Sequence, residues 1–84
     1  MKENKMAKLK LYTIGFYEEP QIRSGFLHKE GGVTSDSDLT DNIIPYVQFF
    51  ADKNKAEKVL KEYEKEYEDD YLVALEEYEF NIKK

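Results

Sequence analysis

The 84-residue chain contains no cysteine, which removes both the disulfide frameworks of small secreted domains and every thiolate-based zinc site. His28 is its one histidine, so a multi-histidine metal centre cannot be assembled, and we read it as a partly exposed strand residue without a catalytic role. No run of about 18 apolar residues is present, and no hydrophobic region stands behind Met1–Lys10, so neither a membrane span nor a signal peptide is expected and the expected location is cytoplasmic. Basic residues are outnumbered, 13 against 18 acids, giving a formal charge of −5 and a pI near 4.9 that disfavours a general binder of phosphate backbones. The chain is also too short for a second core or a deep multi-substrate pocket.

Phosphate and calcium motifs fail on their spacing. Gly31-Gly32 has no neighbouring Lys-Ser/Thr signature and does not open a helix. Asp36, Asp38 and Asp41 suggest a calcium loop, yet with Asp36 as its first position Asp41 stands where glycine is required and Val47 where the bidentate glutamate belongs. Glu76 and Glu77, as strand neighbours, point to opposite faces and cannot share acid–base work. The expectation is therefore a non-enzymatic protein with no cofactor and no metal.

What is present is a succession of short elements. Lys8–Tyr17, KLKLYTIGFY, alternates and then fills with aromatic and β-branched residues, as a strand does, and Gly15 within it marks a bulge or a close backbone approach. Glu18-Glu19-Pro20 ends it. A weaker strand is expected around Gly25–Lys29, followed by a glycine turn at Gly31-Gly32 and a flexible polar loop over residues 33–42. Tyr46–Phe50 reads as another strand, with Pro45 tolerable at its start. Asp52 is a good N-cap, and behind it Ala56, Val59, Leu60, Tyr63 and Tyr67 stack on one face of a helix running from Lys53 to about Glu68. In Tyr71–Ile82 five consecutive apolar residues favour a strand over a continued helix. One domain over 1–84 follows, with 1–6 as a flexible tail: an α+β fold of two layers, a small antiparallel or mixed sheet of three to four strands carrying one amphipathic helix. A crossover through the helix would set Tyr46–Phe50 and Tyr71–Ile82 parallel.

Charge is unevenly placed. Glu62–Glu79 holds nine carboxylates against Lys65 alone, a net −8, so the rest of the chain carries +3. Within the helix the lysines Lys53, Lys55 and Lys58 stand early and the glutamates late, the reverse of what the macrodipole favours. Glu62/Glu66 and Glu64/Glu68 add like-charge pairs at i,i+4. A local rule broken without structural gain points to function, and the candidate partner-binding residues are Glu62, Glu66, Tyr67, Asp69, Asp70, Glu76 and Glu77, an acidic surface with an aromatic anchor. The competing reading makes the charges a solvated face and the tyrosines core.

Tyr46–Phe80, YVQFFADKNKAEKVLKEYEKEYEDDYLVALEEYEF, resembles a strand, a Lys/Glu-rich helix opening on a KAEK-like turn and a closing acidic strand, as in small accessory proteins of bacteriophages and mobile elements. The resemblance implies a protein that binds and inhibits a host nucleic-acid-handling or defence protein in the host cytoplasm, its carboxylates partly mimicking DNA. The expected partner is a protein with a basic surface, with no direct nucleic-acid and no membrane contact. Two alternatives remain: a structural or regulatory module that self-associates, as a homodimer, through the edge of Lys8–Tyr17 or Tyr71–Ile82, and a small-ligand binder using Gln21–Asn42, with Arg23, His28 and Lys29 as an anion site.

Overall fold

The computed structural model describes residues 6–36 and 38–83. The expected tail lies outside them except for Met6, which is the first residue of a strand. Three strands, β1 (Met6–Glu19), β2 (Ile22–Phe26) and β3 (Leu72–Lys83), form one antiparallel sheet in the order β2-β1-β3. One helix, α1 (Lys53–Glu66), completes the α+β fold. β1 and β3 pair without interruption from Met6↔Lys83 to Tyr17↔Leu72, whereas β2 covers only the Gly15–Glu19 end of β1 and slips register around Tyr17. The first half of β1 and its β3 partner therefore project as a two-stranded ribbon, and the molecule is long, with extents of 56 × 26 × 24 Å.

The period of two in β1 explains the two cores. Its even positions Ile14 and Phe16 are fully buried beside Leu75 and Val73 of β3, and Val59, Leu60, Tyr63 and Tyr67 of α1 close over them. Ala56, also fully buried, is small enough to bring the helix down onto the sheet. Asp52 caps α1 as its sequence position implies, its carboxylate accepting from the Asn54 N–H at 2.9 Å. On the opposite face Phe26, Ile43 and Val47 form a second cluster with Leu39, Phe49 and Tyr78, so the segment after β2 covers the side that α1 leaves bare.

Three expectations change. Tyr46–Phe50 is not a strand: Ile44–Tyr46 is a 3₁₀ turn with Pro45 in its first turn, and residues 47–50 pair with their neighbours only through isolated bridges, His28↔Val47 and Tyr12↔Phe50. Proline's fixed φ suits that turn and its missing N–H cannot serve a ladder, so the turn prevails over the β-branched composition. No parallel pairing with β3 then exists in the sheet. The second strand begins earlier than expected, at Ile22, leaving His28 with one bridge. β1 is the central strand and not an edge beyond Tyr12. Gly31 and Gly32, at φ 99° and 83°, do form the glycine turn. Within residues 33–42, Thr34 is buried, accepting from the Phe26 N–H at 2.9 Å, and Leu39 joins the second cluster.

Candidate functional site

The acidic segment folds into two unlike places. Glu62, Glu66, Asp69 and Asp70 are exposed on the late half of α1 and the turn after it, together with Glu64 and Glu68. That turn is tight: the Tyr71 and Tyr67 N–H groups donate to the carbonyls of Tyr67 and Tyr63, each at 2.9 Å, so the chain reverses directly into β3. Because Tyr17 pairs with Leu72, the end of β1 arrives beside it and adds Glu18 to a recess lined by Glu68, Asp69, Asp70, Tyr71 and Leu72. A second recess lies between α1 and β3, lined by Glu64, Glu68, Tyr71, Leu72 and Val73. Leu72, 52% exposed, is the apolar residue that both recesses share; by its register with β1 its side chain stands on the face of the sheet away from α1. Among the described residues none of these seven acids (Glu18, Glu62, Glu64, Glu66, Glu68, Asp69 and Asp70) is held in an ion pair.

Tyr67 is placed differently from the exposed anchor that its position suggested. Its ring is half-buried against Phe16 (5.2 Å between centroids), stacked on Tyr63 (5.9 Å, 16°) and edge-on to Tyr71 (5.9 Å). It belongs to the core under the acidic flank, and burial together with the nearby Glu66 charge raises its phenol above the ordinary value.

Glu76 leaves the acidic surface altogether. It lies on the other face of the sheet from Glu77, its side chain only 10% exposed, gripped by Arg23 of β2 with Nε to Oε2 at 3.0 Å and Nη2 to Oε1 at 2.8 Å. The hydroxyls of Tyr17 and Tyr78 also donate to it. Gly15 makes room: a Cβ built there would stand 2.2 Å from Glu76 Oε2, which is the close approach that a glycine within a strand implied. Arg23 lies over the Phe26 ring, its guanidinium carbon 4.6 Å from the centroid. Burial, followed by the bond to Glu76, pushes the phenols of Tyr78 and Tyr17 upward, with Arg23 opposing. For Arg23 burial pulls downward, and the bonds to Glu76 and Tyr17 outweigh it. The cluster ties all three strands together and spends its one guanidinium fork on an internal carboxylate.

Sequence reasoning grouped Glu76 with its neighbours because a count of charge along the chain ignores faces. Its even position, shared with Leu72, Ala74 and Tyr78, was the available signal. Glu77 remains outside, 3.5 Å from Lys10, and Glu79 lies 3.9 Å from Lys8. His28 stacks on Tyr46 (6.0 Å, 29°) and its Nδ1 accepts from the Glu30 N–H, while Lys29 is exposed. Arg23 is on the Glu76 face, so the structure does not show the three proposed anion ligands sharing one contact. Among the described residues no three His, Cys, Asp or Glu side chains converge as metal ligands, and no helix is long and apolar enough to cross a membrane. Compared with family models, curated proteins and solved structures, the chain finds no match in any of the three.

Proposed function

We propose that this protein is a protein-binding module whose acidic flank, Glu62, Glu64, Glu66, Glu68, Asp69 and Asp70 with Glu18, docks on a basic surface of another protein. The partner in this reading is a host nucleic-acid-handling or defence protein, and the carboxylates occupy the place of phosphates and block it. One observation supports it above the others: Glu18, Glu64, Glu68, Asp69 and Asp70, none held in an ion pair among the described residues, line the two recesses that share the exposed Leu72 at the α1–β3 turn. Solubility requires charge but not charge set against the helix dipole beside an exposed leucine, whereas a docking surface uses the charges for steering and the leucine as a contact that excludes water.

The test is recovery of partners from host lysate by wild type and by the variant Glu62→Gln, Glu66→Gln, Asp69→Asn, Asp70→Asn, at low and moderate salt. A partner held by wild type, released by moderate salt or by duplex DNA and lost by the variant is expected. Equal recovery by both proteins would return these carboxylates to a solubility role.

A further inference from the structure

The outer edge of β3 offers what the acidic flank alone does not. Among the described residues β3 pairs only with β1, so along its length from Leu72 to Lys83 the backbone N–H and C=O groups of its other edge have no partner among those residues. Proteins blunt such edges with proline, lysine or bulges. From Leu72 to Ile82 β3 has no proline and no lysine, and its register with β1 is unbroken. Its charges are instead carboxylates: Glu77 and Glu79 on the helix side, and beyond them Glu64 and Glu68 of α1 across the recess that opens at Leu72 and Val73. The opposite side presents Leu72 and Ala74 at the same end.

The strand already seated on the inner edge shows what this pattern accepts. β1 brings Lys8 and Lys10 to Glu79 and Glu77 on the helix side, with Leu9 and Leu11 alternating on the other. We infer that the outer edge of β3 takes up an extended segment of the partner protein as a fourth strand, one that carries lysine or arginine at alternate positions toward α1 and apolar residues between them. This rests on the acidic-flank reading above and specifies how the basic partner is held: backbone bonds to β3 supply affinity, and Glu64, Glu68 and Glu77 select a basic strand. A second copy of β3 fits poorly, because antiparallel pairing centred on Glu77 sets that carboxylate opposite its own mate, and pairing centred on Tyr78 sets Glu77 opposite Glu79.

The probe is a ten-residue peptide alternating lysine with valine or threonine, titrated against the full chain at low salt, beside two versions N-methylated at every second amide in one register or the other. N-methylation removes donors from the peptide and leaves the protein untouched. Binding should survive in one register and weaken on the order of tenfold or more in the other, and Glu64→Gln with Glu68→Gln should weaken the unmodified peptide about threefold or more at low salt. Equal binding of both methylated peptides would overturn strand addition while leaving an acidic docking flank in place. No binding of any of these peptides at low salt would overturn both. Concentration-dependent self-association that the peptide does not compete away would assign the edge to a second copy and overturn this inference alone.

Discussion

Removing the Glu76 carboxylate tests the physical account of the sheet most severely. In Glu76→Leu the Arg23 guanidinium, 26% exposed and lying on Phe26, loses both carboxylate bonds, while the hydroxyls of Tyr17 and Tyr78 lose their acceptor. Stripping one partner from a fully buried pair costs about 3–5 kcal/mol. With a quarter of the Arg23 side chain already in water, part of that is recovered by hydration, and about 2–3 kcal/mol is expected. For a domain of this size that is a large fraction of a total stability of about 4–12 kcal/mol. With a urea slope of about 1 kcal/mol/M, the midpoint should fall by about 2–3 M. Arg23→Met combined with Glu76→Leu removes both charges and should return to within about 1 kcal/mol of wild type, since the pair's attraction largely offsets its desolvation. Equilibrium urea unfolding of the two single variants and the double variant closes the cycle. A midpoint unchanged in Glu76→Leu, or a double variant no more stable than the worse single one, would refute the account.

Other outcomes derive from the same geometry. The phenols of Tyr17, Tyr67 and Tyr78 are all raised from 10.0, so their contribution is fully present below pH 10 and is lost as pH rises through the higher folded values. Unfolding free energy should therefore fall above pH 10, by up to about 1.4 kcal/mol per pH unit for each tyrosine, and Tyr78→Phe should flatten that slope in urea titrations between pH 9 and 11.5. Gly15→Ala should drive the Glu76 carboxylate off its seat and destabilise by about 1–3 kcal/mol, measured by thermal melting. Gly31→Ala meets no neighbour but must adopt φ 99°, and should cost about 1–3 kcal/mol through backbone strain alone, measured by thermal melting. Lys53→Glu places a favourable charge in the first turn of α1 and should raise the melting temperature by about 2–4 °C, a gain of about 0.5 kcal/mol.

Strong local signals were readable without the structure. The spacing of Ala56, Val59, Leu60, Tyr63 and Tyr67 behind Asp52 locates α1 to within two residues of its observed end, because the period and the cap are both local. The run Leu72–Leu75 identifies β3 for the same reason. The sheet order was not legible, since nothing local makes β1 central, and Pro45 alone could have warned that Tyr46–Phe50 turns instead of extending. At the candidate site the exposed acids of α1 and its turn were visible as a charge run. The removal of Glu76 to the far face and of Tyr67 into the core depends on contacts with Arg23, Gly15 and Phe16, which lie 51 or more residues away in the chain.

The pairing of the first strand with the last governs how this protein is made. Tyr17 and Leu72 are the nearest paired residues of β1 and β3, and 55 positions separate them, so at about 5–20 residues per second β1 waits for about 3–11 s on the ribosome before its principal partner is synthesised. During that interval Leu9, Leu11, Ile14 and Phe16 form an apolar strand without the neighbour that will cover it. Lys8 and Lys10, set alternately among them, then act as gatekeepers against pairing with other nascent chains. Once Glu77 and Glu79 arrive, the same two lysines become the first-strand ends of the completed ribbon's ion pairs.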